Sequence, residues 1–265
     1  MNRSDYFSRG IYVSAMTNSR EIYDLIRLLW PFETSYDLIR VGSDRDGGYL
    51  IPNDLTAIKA CFSPGVANTV DFEADLLDRF GIRSHLADFS VTTPPALELK
   101  TFTKLNLACY ESESTMTLED WIDSKEPESD DSSLILQMDI EGAEYHVLLN
   151  TPRSVLKKFR IIVIEIHEVW AWGSDSFYKI AHQLFTKMLQ DFIPVHLHPN
   201  NVTGRISLGE VIVPQAFEIT LINKARVAGF ESLKYSRLPH ALDRPNEPKL
   251  VDSSLPAYWM GTSFD

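Results

Sequence analysis

The chain alternates between short apolar runs and segments with helical periodicity. Runs rich in β-branched residues predict seven strands, at 57–62, 83–87, 106–110, 134–138, 161–166, 193–197 and 217–222. Apolar residues spaced three and four apart predict helices at 70–79, 118–124, 143–149, 155–159 and 175–190. This alternation predicts a doubly wound α/β fold around a mostly parallel, seven-stranded sheet.

Two of the predicted strands have features that refine this sheet. The run 161–164 consists of Ile, Ile, Val and Ile without polar alternation, which is typical of a strand covered on both faces. The last run follows the loop 200–210 rather than a helix. A strand reached without a helical crossover is expected to lie antiparallel to its neighbour.

The ends of the chain do not follow this alternation. Residues 1–40 carry a helical pattern, interrupted at Pro31, and predict an N-terminal helical cap on a domain spanning 41–236. Residues 237–265 are rich in proline and lack periodicity, which predicts an extended C-terminal segment. Its aromatic residues, Tyr258 and Trp259, favour packing of this segment on the core.

Composition narrows the classes of partner. With 265 residues, 44% of them hydrophobic, the chain is long enough for one large core. Its formal charge of −12, from 25 basic and 37 acidic residues, argues against nucleic acid and anionic membrane surfaces as partners. No apolar run approaches the ~20 residues of a membrane span, and the first twenty residues lack a signal-peptide core, so we expect a cytoplasmic protein. Cys61 and Cys109 are expected to be small core residues.

The segment after the first strand is a candidate nucleoside site. It reads Ser63-Pro64-Gly65-Val66-Ala67-Asn68, with Phe72 and Glu73 at the start of the next helix. A glycine there lets the backbone approach a ligand closely. The three-glycine dinucleotide fingerprint is absent, which favours a phosphate-free nucleoside; an ordinary tight turn is the alternative.

Carboxylates follow two further strands. Asp88 lies 23 residues after Gly65, where α/β nucleoside-binding folds place a ribose-binding acid, although a turn or cap role also fits. The run 134–138 is followed by Asp139-Ile140-Glu141-Gly142-Ala143-Glu144. These acids are expected at the ligand edge of the sheet; alternatively, Asp139 caps the next helix and Glu144 complements its dipole.

The segment Asp139-Ile-Glu-Gly-Ala-Glu144 resembles the signature of the FkbM-type methyltransferases, a branch of the class I S-adenosylmethionine-dependent fold. Other similar segments follow in order over roughly residues 40–250: Asp46-Gly-Gly-Tyr-Leu50, Ser63-Pro-Gly-Val66, Asp71-Phe-Glu73, Asp88, Met116-Thr-Leu118, Val163-Ile-Glu-Ile-His167, His196-Leu-His-Pro-Asn-Asn201 and Glu218-Ile-Thr220. Pro64 and Ala67 depart from the Phe and Gly often found in the family's first loop.

The resemblance implies S-adenosylmethionine as cofactor and methyl transfer to a hydroxyl of a sugar, polysaccharide or related small-molecule acceptor. It also implies a sheet whose last strand is antiparallel. Together with the order of strand ends, it places Asp88 on the ribose and Asp139 near the methionine end. The predicted cofactor-binding residues are Ser63, Pro64, Gly65, Val66, Asn68, Phe72, Glu73, Asp88, Asp139 and Ile140.

Methyl transfer to a hydroxyl requires help in removing its proton. His167 follows the most apolar strand and has a side chain that titrates near neutral pH, so we predict it to be the catalytic base. Glu141 and His198 are expected to orient His167 or the acceptor. Alternatively, Mg²⁺ or Mn²⁺ is held by some of Asp139, Glu141, His167 and His198.

Two other functions are considered. Asp44-Arg45-Asp46 matches the pattern by which some glycosyltransferases hold a metal and a sugar nucleotide, but it precedes Gly47-Gly48 in a predicted hairpin turn rather than following a buried strand. A non-catalytic binding protein with the same fold is the other alternative. Asp139, Glu141 and His167 argue against it.

Overall fold

The computed structural model of the protein describes residues 6, 8–10, 13–67, 69–92, 98, 100–229 and 234–261. The α-helices considered below are α1 (Ser19–Leu28), α2 (Asp71–Phe80), α3 (Leu118–Lys125), α4 (Glu144–Asn150), α5 (Arg153–Leu156) and α6 (Asp175–Met188). The strands are β1 (Leu38–Gly42), β2 (Gly48–Pro52), β3 (Ala60–Pro64), β4 (Ser84–Ala87), β5 (Thr101–Thr103), β6 (Asn106–Leu107), β7 (Thr115–Met116), β8 (Leu134–Met138), β9 (Phe159–Ile166), β10 (Phe192–Pro199), β11 (Arg205–Leu208), β12 (Val211–Pro214) and β13 (Phe217–Asn223).

A seven-stranded sheet forms the centre of the fold, in the order β10-β13-β9-β8-β3-β4-β5. Only β13 runs antiparallel to its neighbours in this sheet, and the remaining pairings are parallel. All eight residues of β9 are buried, as its continuous apolar run predicts. The predicted mostly parallel sheet with an antiparallel last strand is therefore confirmed.

The strand predicted at 106–110 is confirmed only at 106–107, and it does not belong to the central sheet. The edge strand of the central sheet is β5, whereas β6 pairs with β7 in a separate two-stranded sheet. All three residues of β5 are only half-buried, so this strand has no apolar run by which the sequence reveals it. Tyr110, which extended the predicted run, is exposed. Cys109 is exposed as well, so the prediction of a core residue was right only for Cys61.

Helix ends mostly follow local sequence signals. The side chain of Asn18 caps α1 in a capping box with Glu21, and Gly81 ends α2 in the left-handed conformation. The helix predicted at 155–159 is wrong in position, because α5 spans Arg153–Leu156 and Phe159 already begins β9.

Two layers cover the central sheet. Leu25 of α1, Leu148 of α4 and Leu184 of α6 belong to the large core on one face. On the other face, Ile51 of the β1–β2 hairpin and Phe72 of α2 pack in a second cluster. This arrangement leaves the carboxyl ends of the parallel strands as the edge where ligands bind in such folds.

The C-terminal segment lies against the core. Trp259 is completely buried and packs edge-on against Phe217, with ring centroids 5.5 Å apart. Nε1 of Trp30 donates a hydrogen bond to the backbone oxygen of Tyr258. The proposed divisions at residues 40 and 236 stay predictions. Within the described ranges, none of the helices combines the length and apolar character needed to cross a bilayer.

Candidate active site

Acidic and imidazole side chains meet where β8 and β9 end. Asp139 directly follows β8, and His167 directly follows the parallel neighbour β9. Nε2 of His167 lies 3.7 Å from both Oδ1 of Asp139 and Oε2 of Glu141. The same nitrogen lies 3.8 Å from Oε1 of Glu165, a residue that the sequence did not single out. The fold thus brings Asp139, Glu141 and His167 together, as predicted from strand ends.

Glu144 fixes the orientation of the His167 ring. Its side chain is fully buried, and Oε1 accepts hydrogen bonds from the backbone N–H groups of Ile140, at 3.1 Å, and Gly142, at 3.2 Å. The same oxygen lies 3.0 Å from Nδ1 of His167. An ionised carboxylate only accepts hydrogen bonds, so Nδ1 carries the hydrogen and Nε2 faces the other carboxylates.

The turn between β8 and α4 places Glu141 beside His167. Glu141 has φ +55° and Gly142 has φ +100°, so two consecutive residues are left-handed. The glycine accommodates this conformation without strain, whereas Glu141 does not. The Glu141 side chain remains 87% exposed although it lies close to Nε2 of His167.

Burial and like charges perturb the titration of this cluster. Burial, with the charge of Glu165, raises the pKa of Asp139 to about 8. Burial lowers the pKa of His167, but the hydrogen bond to Glu144 and the charge of Glu165 outweigh it and raise this pKa to about 9. Oδ1 of Asp139 and Oε2 of Glu144 have no hydrogen-bond partner among the described residues. The cluster is therefore suited to a ligand that brings positive charge.

One set of these groups has spacing suitable for a metal ion. One ligand atom from each of Asp139, Glu144 and His167 lies within 4.8 Å of the others. Carboxylate oxygens with one imidazole suit Mg²⁺ or Mn²⁺. Glu144 was not among the predicted ligands, and its burial in the turn is what brings it into reach.

A cleft adjoins this cluster at the end of β3. Gly65 has φ +84°, and a Cβ at this position would overlap the backbone oxygen of Asp139. Val66, Phe72 and Glu73 line the cleft together with Gly65 and Asp139. The hairpin residues Asp46, Gly47 and Tyr49 form its other wall. Only glycine permits this close approach between the loop and the β8 end.

Ser63 lies beneath the cleft rather than facing it. Its hydroxyl lies within hydrogen-bonding distance of Oε1 of Glu73 and of Oε1 of Gln137, and Nε2 of Gln137 donates to the Tyr49 hydroxyl. Burial raises the pKa of Glu73 to about 7. The single hydroxyl hydrogen of Ser63 can be donated to only one of these two oxygens. When it is donated to Oε1 of Gln137, Glu73 is neutral and donates its own hydrogen to the Ser63 hydroxyl.

His198 lies two strands away from His167, on β10. Its Nδ1 is 3.8 Å from Oε2 of Glu218 on β13, and its Nε2 is 3.4 Å from Oδ1 of Asp252. His196, on the same face, lies 2.8 Å from Oδ1 of Asp243. The histidines of β10 thus face the C-terminal segment. The role predicted for His198 stays a prediction.

The Asp44-Arg45-Asp46 segment lies in the turn between β1 and β2. Gly42 pairs with Gly48 across this turn in an antiparallel hairpin. The segment therefore does not follow a strand of the central sheet, which a glycosyltransferase metal site would require.

Comparison with known families gives the class of enzyme. Residues 65–192 match the family model described as the methyltransferase FkbM domain. This stretch is similar to the FkbM methyltransferases, and the chain is an S-adenosylmethionine-dependent methyltransferase. The match contains Gly65, Asp139, Glu144 and His167, so the imidazole cluster and one wall of the cleft lie within it.

Solved structures give weaker similarities. The fibrillarin/Nop5p complex aligns with a TM-score of 0.38 and 14% identity, over 70% of this chain and 93% of that chain. A protein described as a DNA modification methyltransferase encoded within a prophage (E. coli) aligns with a TM-score of 0.38 and 8% identity, over 63% of this chain and 47% of that chain. No curated protein matches the chain.

Apart from Asp88, the residues predicted to hold the cofactor fall into three groups. Gly65, Val66, Phe72, Glu73 and Asp139 line the cleft. Ser63 supports it from below, while Pro64 ends β3 and Ile140 lies beside Gly65. Asn68 lies outside the described residues.

Asp88 organises the first loop of the methyltransferase domain. One carboxylate oxygen accepts a hydrogen bond from the backbone N–H of Ala67, at 2.8 Å, and the other accepts from Ser90 and Val91. Burial would raise the pKa of Asp88, but these hydrogen bonds outweigh it and lower the pKa. Asp88 therefore stabilises the loop through these hydrogen bonds. Its contact with the ribose of the cofactor stays a prediction.

Replacing Asp88 by Ala is expected to weaken S-adenosylmethionine binding by ~1–3 kcal/mol, the cost of leaving polar partners unpaired. The change removes both the predicted ribose contact and the hydrogen bond to Ala67. Calorimetric titration of the folded variant measures the effect, with Asp78→Ala at an exposed position of α2 as control. Equal affinity for Asp88→Ala and Asp78→Ala would contradict the prediction.

Proposed function

We propose that this methyltransferase transfers the methyl group of S-adenosylmethionine to a hydroxyl of a sugar, polysaccharide or related small-molecule acceptor. The observation that carries the proposal is the His167 ring beside the cleft. Glu144 holds Nδ1 of His167, and Nε2 faces Asp139, which lines that cleft. An oriented imidazole at this place is suited to accept the proton of an acceptor hydroxyl.

The residues present fit the cofactor. The left-handed Gly65 brings the loop backbone against the β8 end, where a Cβ would overlap the backbone oxygen of Asp139. A cation bound beside Asp139 favours the ionised form of this carboxyl, whose pKa burial otherwise raises to about 8. When bound, S-adenosylmethionine supplies an electrophilic methyl group on a positively charged sulfonium. Carboxylates near Asp139 favour that charge electrostatically.

Protonation of His167 decides when it is able to act as a base. In the protein alone, the surrounding carboxylates keep Nε2 protonated at neutral pH, because they raise the pKa of His167 to about 9. A positive charge close to the ring lowers this pKa, since it disfavours the imidazolium. Neutral His167 then accepts the hydroxyl proton, and Glu144 stabilises the imidazolium that forms.

Methyl transfer from labelled cofactor tests this function. The protein is incubated with labelled S-adenosylmethionine and with sugar nucleotides, glycans and lipid-linked sugars, and the products are separated and analysed for label on oxygen. We expect transfer to one hydroxyl-bearing class. Transfer exclusively to nitrogen, or to RNA or DNA, would contradict the proposal. The cytoplasmic location and the exclusion of nucleic acid stay predictions from the sequence.

Metal-assisted deprotonation is a second mechanism for the same reaction, favoured by the spacing of Asp139, Glu144 and His167. A divalent cation held by these residues would lower the pKa of a bound hydroxyl. If the metal acts, chelator is expected to abolish turnover, and added Mg²⁺ or Mn²⁺ restores it. If His167 acts as the base, turnover is unchanged by chelator. Turnover of metal-depleted protein, measured with and without added Mg²⁺ or Mn²⁺, distinguishes the two mechanisms.

A further inference from the structure

Two further buried acids lie near His167, on the neighbouring strands β9 and β13. Glu165 on β9 and Glu218 on β13 are register partners, and both side chains are buried. Nε2 of His167 is 3.8 Å from Oε1 of Glu165, so the group begins at the proposed catalytic base. Neighbouring strands lie about 4.7–4.9 Å apart, so Glu218 is one strand spacing beyond Glu165.

Asn246 joins this group to the cofactor cleft. Its Nδ2 donates to Oε1 of Glu218, at 2.8 Å, and to Oδ1 of Asp46, at 3.3 Å. Asp46 also lines the cleft beside Asp139. Asn246 is 6% exposed, and its Oδ1 is without a partner among the described residues. We call Asp46, Glu218 and Asn246 the acidic subsite.

No cation donates a hydrogen bond to Glu218 among the described residues. Arg40 is close enough to lower the pKa of Glu218, but its guanidinium donates to the backbone oxygens of Ser43 and Arg45. Burial and the charge of Glu165 outweigh Arg40 and raise the pKa of Glu218 well above its usual range, because they disfavour the ionised carboxylate. A ligand that brings a positive charge favours this ionised form.

We propose that the acidic subsite binds a protonated amine of the acceptor. The acceptor class is then an amino sugar or aminocyclitol, with its ammonium group at Glu218 and its reacting hydroxyl at His167. This inference rests on the proposed O-methyl transfer and names the substrate class of the same site. Glu165 lies between the two groups, 3.8 Å from Nε2 of His167 and in register with Glu218 on the neighbouring strand.

An organic ammonium fits the acidic subsite better than a metal ion. Mg²⁺ requires oxygen atoms at about 2.0–2.1 Å, whereas an ammonium group donates hydrogen bonds of about 2.7–2.9 Å to more widely spaced oxygens. Within the described part of the chain, Asp139, Glu144 and His167 bring one ligand atom each within 4.8 Å of the others, whereas Asp46, Glu165 and Glu218 do not. The unpartnered oxygen of Asn246 is a further acceptor for an ammonium hydrogen.

The cofactor's own amine is the competing occupant. Glu218 lies three strands from β3, whose loop forms the cofactor cleft, a distance of about 14 Å at the usual strand spacing. Asp139 lines that cleft, and its backbone oxygen lies against Gly65 of the loop. The cofactor's amine is therefore better placed at Asp139, which leaves the acidic subsite for the acceptor.

Binding of matched sugars tests the acidic subsite. The protein loaded with S-adenosylhomocysteine is titrated at pH 7 with glucosamine, N-acetylglucosamine and glucose, which share the ring and differ in the charge at one position. We expect glucosamine to bind about ten- to a hundredfold more tightly than either neutral sugar, as charge-assisted hydrogen bonds imply. Glu218→Gln should remove this preference, and Glu111→Gln at an exposed position should retain it.

A second variant covers the case in which Glu218→Gln fails to fold. Asn246→Lys, on the C-terminal segment, supplies a tethered ammonium to Asp46 and Glu218 and should also abolish the preference for glucosamine. Equal binding of the three sugars to the wild type, or no glucosamine binding, would overturn the inference. Loss of S-adenosylhomocysteine affinity in Glu218→Gln would overturn it too, since the cofactor's amine would then occupy the subsite.

Failure of the acidic subsite and failure of the proposed O-methyl transfer give different experimental results. O-methylation of a neutral sugar without any preference for an amine would support the proposed function and overturn the acidic subsite. Glucosamine binding that Glu218→Gln weakens, with no label on oxygen of any acceptor, would support the subsite and contradict O-methyl transfer. Methyl transfer to the nitrogen of glucosamine would contradict both, because the amine would then lie at the methyl group rather than at Glu218.

Discussion

Replacement of His167 by Ala is expected to reduce turnover by ~10²–10⁴-fold, the usual contribution of a positioned general base. Nε2 of His167 is held towards Asp139 and Glu141 by the contact between Nδ1 and Glu144. Cofactor affinity should be retained, because His167 is not among the residues that line the cleft at Gly65. Steady-state methyl transfer and calorimetry with S-adenosylmethionine measure the two effects.

The pH dependence provides a second readout for His167. Its pKa is raised to about 9 in the protein alone, and the deprotonated form is the active base, so kcat/KM should increase with pH up to about 9. Glu144→Gln removes the carboxylate that raises this pKa, so the rise should shift to lower pH while kcat falls. His146→Ala, at an exposed position of α4, is the control. A fully active His167→Ala enzyme would exclude both the base and the metal-ligand role.

Replacement of Gly65 by Ala should both destabilise the protein and abolish cofactor binding. The residue has φ +84°, and the new Cβ would overlap the backbone oxygen of Asp139, so the loop or the β8 end has to move. A left-handed non-glycine residue costs about 1–3 kcal/mol on its own, and the overlap adds to this cost. Denaturant unfolding and calorimetric titration with S-adenosylmethionine measure the two effects.

Gly81 offers a matched control for Gly65. It is also left-handed, with φ +68°, but a Cβ there meets nothing within 4 Å. Gly81→Ala should therefore have only the conformational cost, about 1–2 kcal/mol, and should leave cofactor affinity unchanged. The assigned role of Gly65 would be wrong if the two variants had equal stability and equal affinity.

Local pattern was sufficient to predict much of the sheet. The unbroken apolar run of β9 identifies a strand buried on both faces, and the absence of a helix before β13 identifies its antiparallel direction. The weak edge strand β5 was missed, because a half-exposed three-residue strand has no apolar run. Its position depends on pairing with β4, which is a tertiary interaction.

The strand ends that carry chemistry are recognisable from the amino-acid sequence alone. Gly65, Asp139, Glu141 and His167 each follow or flank a recognisable strand, and the carboxyl ends of parallel strands share one edge. For this reason the cleft and the cluster at His167 could be placed together before the fold was known.

The contacts between these groups, in contrast, depend on the packing of distant segments. Glu144 reaches His167 because a left-handed turn at Glu141 and Gly142 folds the start of α4 back towards β9. Glu218 comes beside Glu165 because β13 inserts between β9 and β10, an order that local periodicity does not contain. Hydrophobic pattern reports burial and strand identity, whereas strand order and turn geometry result from packing between distant segments.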